Sequence, residues 1–587
     1  MIRVVALKKA AVAGVAGALA WEAVLRGLII AGVPTFDIVR ALGTFAVADG
    51  SFWTWWGPGM TGHAAVGIAW ATFYAYFFWA RFDWPPVLQG LLFSLLPAAL
   101  ATIVATPQMR LMKMDVDEVR LTGELLRPPL TALEAGGLLL GHMIFGMVIG
   151  LLYARPVGHA VDETPSIRRS RSRSRRQPQS AAKRQPGGGF IFATGIECSY
   201  PTIDHGRWRF DEMAATRHYR DWGQDFELCR QIGVTHLRYG PPLHLIYRGP
   251  GHFDWSIIDE PMAELESFGP EPIVDLCHFG LPAWLGNFQN DEIAAALGEY
   301  AVAFARRYPW VRYYTPANEM YVCARMSALD GAWNEQAKDE RSFLNAVFNI
   351  ASASVTMTDA ILAARPDAVF INSESSEFTQ SCCPDVEIQE KASFENLRRF
   401  LPLDLIYSRE VDGPMLEHLR AHGREADYRR FLARQVPRRS VIGLDYYEWN
   451  ERLVDADGQV RALGELFGWY VIAHQYFTRY CRPMMHTETN RLNAADGPRW
   501  LWRQWHNVQL LRHAGAPLIG FTWYSLTDQV DWGIGLTRAL GRVDPVGLFD
   551  LNRDPRPVGL SYKHLIALHR DVPEYRECPA VAELLAA

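Results

Sequence analysis

The chain has 587 residues, 49% of them hydrophobic, and a formal net charge of −5 at pH 7. This length excludes a single hydrophobic core and predicts at least two domains, while the charge is ordinary for a globular protein. The eight cysteines show no CxxC pair and no regular spacing, which argues against a zinc site or a disulfide framework.

Residues 1–160 are dominated by long apolar runs, each close to the ~20 residues that a helix needs to cross a bilayer. They predict an all-α membrane domain of about four transmembrane helices. The predicted spans cover roughly 10–32, 62–80, 87–106 and 132–154.

Ionisable residues interrupt these runs at a few places. Glu22 and Arg26 lie four residues apart on one helical face, so the first segment either pairs them inside a bundle or lies in the membrane interface. His63 and His142 lie among small residues, where we expect hydrogen-bonded helix packing.

Residues 161–189 are rich in Arg, Ser, Pro and Gly, with six arginines between Arg168 and Arg176. This composition predicts a disordered linker that contacts anionic lipid headgroups. No basic fold follows it, so nucleic acid is not expected as a partner. The positive charge after the last span predicts a multi-pass protein of the inner cell membrane whose second domain is cytoplasmic.

From residue 190 to the end at 587, short apolar strands alternate with helical segments, which is typical of an α/β protein and of a (β/α)8 TIM barrel in particular. The widest gap, around 376–440, predicts a long insertion between the fifth and sixth strands. The predicted strands are 190–197, 234–240, 272–279, 311–318, 368–375, 441–447, 483–489 and 518–525.

Polar residues stand where these strands end, and barrel enzymes place their chemistry at the carboxyl ends of the strands. Glu319 follows the fourth strand and Glu488 ends the seventh. Two carboxyl groups that face each other across a sugar-sized gap are the machinery of glycosidic bond hydrolysis, one protonated and the other ionised. Other strands end in Glu197, Arg238, His278, Tyr447 and Asp531.

Several neighbours are expected to assist these carboxyl groups. Asn318 can donate to a substrate hydroxyl, and Arg238 and Tyr447 can hold Glu488 ionised. Aromatic residues near the strand ends offer flat surfaces for sugar rings, namely Trp284, Trp449, Trp523, Tyr524 and Trp532.

The region from about 190 to 565 resembles glycoside hydrolase family 1, the β-glucosidase and β-galactosidase family. Around Glu319, "YTPANEM" resembles the acid/base motif T-x-N-E-P, and around Glu488, "MMHTETN" resembles the nucleophile motif I-T-E-N-G. The resemblance implies a (β/α)8 barrel in which Glu319 is the acid/base and Glu488 the nucleophile, without metal or cofactor.

Further motifs extend the resemblance. It implies that Arg238 and Tyr447 contact the nucleophile, from "VTHLRYG" and "VIGLDYYEWN", and that His278 binds the sugar, from "DLCHFGLPAWL". "SLTDQVDW" resembles S-L-L-D-N-F-E-W and puts Asp531 where the family has a glutamate. The family's first-strand glutamine is missing, and Glu197 is a candidate replacement.

These observations predict a membrane-attached retaining β-glycosidase that acts on a carbohydrate and contacts lipid through its N-terminal helices. Two alternatives stay open. One is a transglycosylase that uses a glycolipid or another acceptor, and the other is a non-catalytic sugar-binding domain. The identity of the sugar and the oligomeric state are left open by the sequence.

Overall fold

A computed structural model of the chain describes residues 7–47, 51–78, 85–102, 132–154, 189–204 and 206–570. The described residues fall into two compact units, of which the helices before residue 166 form one and nearly all the rest form the other. Except for Gly189, the predicted linker lies outside the described residues. Cys578 also lies outside them.

The described part of the N-terminal unit contains five helices, and each of the four predicted spans overlaps one of them. The short second helix was not predicted, and the third continues through a π-helical turn, Tyr74–Phe78. The helices are α1 (Leu7–Ile30), α2 (Ile38–Ala46), α3 (Phe52–Phe73), α4 (Pro86–Leu100) and α5 (Ala132–Ala154).

Length and composition alone make three described helices apolar enough to cross a membrane: α1, residues Ala132–Tyr153 of α5, and Glu340–Ala364. The last belongs to the barrel unit, where 56% of its apolar window is buried. Helix α4 is apolar but shorter. Two of the four predicted spans thus meet the criterion for a full crossing.

Glycines allow the helices of this unit to approach closely. A Cβ added to Gly146 of α5 would lie 2.2 Å from the carbonyl oxygen of Gly90 on α4, and one added to Gly90 would meet Gly146 in the same way. Gly14 on α1 and Gly67 on α3 face each other similarly. Small residues at such contacts are typical of helix packing in membranes.

Glu22 and Arg26 of α1 are paired. Arg26 donates to Glu22 at 2.6 Å and to Asp37 at 2.6 Å, and the indole of Trp56 donates to Glu22 at 2.8 Å. Of the two interpretations of the first segment, this arrangement agrees with an ion pair held inside a helix bundle.

The two histidines of the N-terminal unit lie on either side of one indole. The ring of Trp21 on α1 is centred 4.7 Å from His63 on α3 and 4.2 Å from His142 on α5. Nδ1 of His142 is also 2.9 Å from the carbonyl of Leu138, one turn earlier in its own helix. Both rings are buried, as helix packing requires.

In the second unit, eight parallel strands close into a barrel in which each strand pairs with its neighbours in sequence and the first pairs with the last. All eight predicted strands are confirmed, with boundaries that differ by a few residues. They are β1 (Ile191–Ile196), β2 (His236–Tyr239), β3 (Glu271–Asp275), β4 (Tyr313–Thr315), β5 (Val369–Ser375), β6 (Ser440–Asp445), β7 (Met484–Glu488) and β8 (Leu518–Trp523).

Helices surround the barrel, as the alternation in the sequence predicts. The main ones are His218–Ile232, Asp259–Ser267, Ile293–Arg307, Glu340–Ala364, Gly468–Tyr480, Gly497–His513 and Pro557–Leu568. The predicted insertion after β5 holds a strand, Phe378–Ser381, and the helices Val386–Arg398, Leu401–Ile406, Gly413–Ala421 and Glu425–Leu432. Shorter helices are Glu212–Ala215, Leu243–Ile246 and Met320–Ala324, and shorter strands include Glu451–Val454 and Val460–Ala462.

The barrel interior is filled by apolar side chains, which makes it a packed core and not a channel. The strands are buried on both faces, so their sequences are nearly continuous apolar runs. Polar side chains gather where the strands end. The interior cluster consists of Ile191, Ala193, Ile273, Tyr313, Val369, Ile371, Val441 and Met485.

Candidate active site

A cavity of about 360 Å³ opens at the carboxyl ends of the strands. Glu319 and Glu488 both line it. Four other predicted residues line it as well: His278, Tyr447, Trp449 and Trp532. The remaining lining residues are Phe279, Val322, Arg325, Met326, Trp333, Ser375, Glu377, Arg452, Gly533, Gly535 and Leu536.

Glu488 is surrounded by hydrogen-bond donors. Arg238 donates to its Oε1, Asn318 Nδ2 donates to the same oxygen at 3.4 Å, and the hydroxyl of Tyr447 donates to Oε2 at 2.6 Å. Burial opposes the ionised form, but the charge of Arg238 and the hydrogen bond from Tyr447 help to outweigh it and hold the pKa of Glu488 below its usual value. Glu488 is therefore a carboxylate at neutral pH.

Glu319 has the opposite electrostatic environment. Burial, and then the charges of Asp445 and Glu488, raise its pKa well above the usual value. Its backbone is left-handed, with φ +38°, and its N–H donates to the carbonyl of Ser373 on β5 at 2.9 Å. A non-glycine residue in this conformation is strained, and such strain clusters at functional sites.

Arg238 is the centre of the buried polar network. It is fully buried and lies 2.8 Å from Glu197 and 3.5 Å from Asp275, and its Nη2 donates to Asn318 Oδ1 at 2.7 Å. The Asn318 amide is thus used by the protein on both of its polar atoms. When several carboxyl groups are buried around one guanidinium, their mutual repulsion favours the ionised form of one carboxyl group and the neutral form of another.

The pKa of Glu197 is shifted in the opposite direction to that of Glu488. Burial raises the pKa of Glu197 well above the usual value, although the charge of Arg238 acts in the opposite direction. His278 lies beside it, with Nδ1 3.3 Å from Glu197 and 2.8 Å from Asp275. Glu197, His278 and Glu488 place ligand atoms within 4.8 Å of one another. Because Arg238 already supplies positive charge to both carboxyl groups, this set does not fit a metal ion.

Aromatic rings form one wall of the cavity. Trp532 is centred 5.0 Å from Tyr447 and 5.1 Å from Trp449. Tyr524 lies behind it at 6.0 Å and is buried, with its hydroxyl 3.2 Å from Gln529 Oε1. This wall gives a bound ring flat surfaces to stack on.

Seven predicted residues lie outside the lining of this cavity. Four of them have been described above, and the other three are Trp284, Trp523 and Asp531. The indole of Trp523 is buried and donates to the carbonyl of Val546 at 3.0 Å. Asp531 is buried directly before Trp532, with φ +58°. Of the predicted aromatic residues, Trp449 and Trp532 line the cavity and Tyr524 packs against Trp532. Trp523 and Trp284 do not line it, and the indole of Trp284 donates to the carbonyl of Tyr247 at 2.9 Å.

Two groups of residues near the site were not predicted from the sequence. Asp275 and Asp445 end β3 and β6, and the strand-end rule that found Glu488 also identifies them. The other group is a charged cluster in the cavity wall, made of Arg325, Glu377 and Arg452. Its members come from the three segments that follow β4, β5 and β6, and no motif in the sequence connects them.

Comparison with known proteins places this barrel beside β-glucosidases. The chain is 22% identical over 371 residues to β-glucosidase A of Thermotoga maritima, a match that covers 56% of this chain and 82% of that relative. No protein-family model matches the chain.

Solved structures give the same picture for the fold. β-Glucosidase from Thermotoga maritima in complex with deoxynojirimycin matches with a TM-score of 0.53 and 17% identity, and the complex with glucoimidazole with 0.54 and 18%. Each match covers 65% of this chain and 98% of the other. The barrel unit therefore has the fold of these family 1 enzymes.

Proposed function

We propose that this protein is a membrane-attached retaining β-glycosidase in which Glu488 is the nucleophile and Glu319 the acid/base. One observation carries the proposal: two buried carboxyl groups line one cavity, and their pKa values are shifted in opposite directions. A pair of carboxyl groups whose surroundings separate their pKa values is the usual signature of an acid and a nucleophile.

In the proposed reaction, the Glu488 carboxylate attacks the anomeric carbon while protonated Glu319 donates its proton to the leaving oxygen. A covalent glycosyl-enzyme forms and the aglycone departs. Glu319, now ionised, takes a proton from water, which attacks the same carbon and releases Glu488. The proposal uses no metal or cofactor, and a retaining mechanism predicts a carboxyl separation of ~5–5.5 Å.

The remaining predicted residues are proposed to hold the substrate or to position Glu488. Arg238, Tyr447 and Asn318 orient the nucleophile through the hydrogen bonds described above. His278 and Trp532 face the cavity and are proposed to contact the sugar, with Glu197, Tyr524 and Asp531 supporting them. The similarity to β-glucosidases, including complexes with deoxynojirimycin and glucoimidazole, supports a carbohydrate as the occupant.

The test is turnover of a panel of 4-nitrophenyl β-glycosides by the full chain in detergent. We expect hydrolysis of at least one sugar, release of the β-anomer first in a time-resolved NMR measurement, and a loss of several orders of magnitude in Glu488→Gln. Unchanged turnover in that variant would refute the assignment. Transfer to an added glycolipid acceptor would indicate a transglycosylase, and binding of sugar without turnover would indicate a non-catalytic domain.

Membrane attachment is proposed from the apolar helices α1 and α5. The arginine-rich segment 168–176 follows α5, and positive charge next to a span favours the cytoplasmic side. The barrel that follows this segment is therefore proposed to be cytoplasmic. Protease treatment of intact cells and of inverted vesicles tests the orientation. The barrel should be protected in cells and cleaved in inverted vesicles, and the reverse result would place it outside.

A further inference from the structure

The wall of the cavity contains a charged cluster that the proposed reaction does not use. Nη1 of Arg325 lies 3.0 Å from both oxygens of Glu377, and Nη2 of Arg452 lies 2.8 Å from Oε1 of the same carboxylate. All three residues line the cavity. Their side chains are 10%, 5% and 16% exposed for Arg325, Glu377 and Arg452 respectively.

The buried part of the cluster has more positive than negative charge. Asp330 also pairs with Arg325, 3.3 Å from its Nε, but the Asp330 side chain is 48% exposed, and ion pairs with an exposed member contribute little. Burial raises the pKa of Glu374, beside the cluster, to about 8, which favours its neutral form. Two guanidinium groups therefore share one buried carboxylate.

Arg452 keeps unused donors. Its Nη2 carries its one side-chain hydrogen bond to a described residue, so Nε and Nη1 remain available on a partly exposed side chain at the cavity. Burial and the neighbouring charge of Arg325 lower the pKa of Arg452. An anion bound here would relieve the repulsion and satisfy the donors, since arginine binds carboxylates and phosphates through paired N–H groups.

The position of the cluster indicates which part of a substrate it would meet. The groups around Glu488 that come from β1, β2 and β3 are Glu197, Arg238 and His278, on one side of the cavity. Arg325 follows Glu319 by six residues, at the end of the short helix Met320–Ala324, and Glu377 and Arg452 come after β5 and β6. The cluster thus lies on the side of the group that protonates the leaving oxygen.

We propose that Arg325 and Arg452 form a subsite for an oxyanion, a carboxylate or a phosphate, carried by the leaving group of the substrate. The inference rests on the proposed function for its definition of the leaving group. It goes beyond that function because it assigns a chemical class to the aglycone. A neutral alkyl or aryl aglycone would leave the remaining N–H donors of Arg452 without a partner among the described residues, in a largely buried wall.

The test compares two thioglycosides that the protein cannot hydrolyse, 4-carboxyphenyl 1-thio-β-D-glucopyranoside and its methyl ester. Their binding to the full chain in detergent is measured by calorimetry, so the result does not depend on turnover. We expect the carboxylate to bind about 10- to 100-fold more tightly than the ester, as charge-assisted hydrogen bonds require. A 4-phosphonophenyl analogue shows whether a phosphate-type group is preferred over a carboxylate.

Variants then assign the preference to the cluster. Arg452→Met should reduce the carboxylate-to-ester ratio to near one, and Arg452→Lys should retain part of it. Arg461→Met is the matched control, because Arg461 lies on the strand paired with that of Arg452, is 67% exposed and pairs with Asp455. The melting temperature of each variant shows whether it is folded. If Arg452→Met does not fold, Arg325→Met replaces it in the comparison.

Three results would overturn the inference. One is equal binding of the two glucosides, and another is binding of neither. The third is an Arg452-dependent preference for phenyl 1-thio-β-D-glucuronide, which would place the anion on the sugar. Failure of the aryl-glycoside panel with a preserved carboxylate preference would instead reject hydrolysis and leave the subsite standing.

Discussion

The hydroxyl of Tyr447 donates a 2.6 Å hydrogen bond to Oε2 of Glu488, across the pair formed by β6 and β7. Arg238 donates to the other oxygen, so both oxygens of Glu488 are held. The orientation of the proposed nucleophile is therefore fixed by two side chains from different strands, and its ionised form is favoured at the same time.

Removing the tyrosine hydroxyl should weaken both effects. We expect Tyr447→Phe to lower kcat/KM for an aryl β-glycoside by about 10- to 100-fold, because a hydrogen bond to a charged group is lost. Tyr446→Phe is the matched control, since Tyr446 donates to Glu451 and does not line the cavity. A similar loss in both variants would indicate a general effect on packing.

The same variant should change the pH profile. Glu488 must be ionised to attack, so activity falls as pH drops through its pKa, which the folded protein holds below the usual value. Without the Tyr447 hydroxyl that pKa rises, and the acidic limb of kcat/KM should move to higher pH. An acidic limb that stays in place would argue that a different group controls it.

Glu319 should control the basic limb. Its pKa is raised by burial and by Asp445 and Glu488, so the protonated acid is lost as pH rises through that value. Glu319→Gln should remove this limb and lower turnover of 4-nitrophenyl glycosides by about 10²- to 10⁴-fold. The loss in the glycosylation step should be much smaller with 2,4-dinitrophenyl glycosides, whose leaving group needs no proton.

A half-buried glutamate outside the cavity lining, Glu335, provides the control for that experiment. Burial also raises the pKa of Glu335, which accepts from Gln289 at 2.8 Å. Glu335→Gln should keep both limbs of the profile. If Glu319→Gln loses the same factor with both leaving groups, its role as the acid is rejected.

Much of this fold follows from the sequence because parallel strands buried on both faces are short apolar runs with recognisable ends. The weakest boundaries were at 311–318, where the strand itself is Tyr313–Thr315 and Pro316 begins the loop that carries Glu319. The short α2 was not predicted because nine residues are too few to show a clear helical periodicity of apolar residues.

The site was predictable where strand ends determine it and unpredictable where other contacts do. At the start of β8, Leu518 pairs with Met484 but Gly520 with Met485, an irregularity that shifts which side chains face inward. A one-residue shift exchanges the two faces of a strand. The sequence alone therefore does not show whether Trp523 or Tyr524 faces the site. The cluster of Arg325, Glu377 and Arg452 depends on how the segments after β4, β5 and β6 pack together.

Arg238 should be important for stability as well as for chemistry. Arg238→Met leaves Glu197, Asp275 and Glu488 without their shared cation, and breaking a buried ion pair in this way costs about 3–5 kcal/mol. We expect a clear fall in the melting temperature of the barrel unit. Arg307→Met should cost about 0–1 kcal/mol, because the Arg307–Asp259 pair is exposed on both sides.

The stability deficit of Arg238→Met should depend on pH. In the native protein the folded pKa of Glu488 is depressed, so its contribution is present above the unfolded pKa and is lost as pH falls through the folded one. Without Arg238 the buried acids are neutralised more easily in the folded state. The difference in melting temperature between the two proteins should therefore shrink from pH 7 to pH 5, and a constant difference would contradict this account.

The contact between α4 and α5 can be tested by overpacking, as is done for a hydrophobic core. Gly146→Leu places a Cβ 2.2 Å from the carbonyl oxygen of Gly90 and 2.7 Å from Cβ of Ser94, so the helices must separate. Overpacking of this kind costs about 1–3 kcal/mol. We expect the full chain in detergent to lose its monodisperse elution peak at a lower temperature. Gly136→Leu on the same helix is the control, because a Cβ there meets nothing within 4 Å. Equal sensitivity of the two variants would show that the effect comes from leucine on α5 in general and not from this contact.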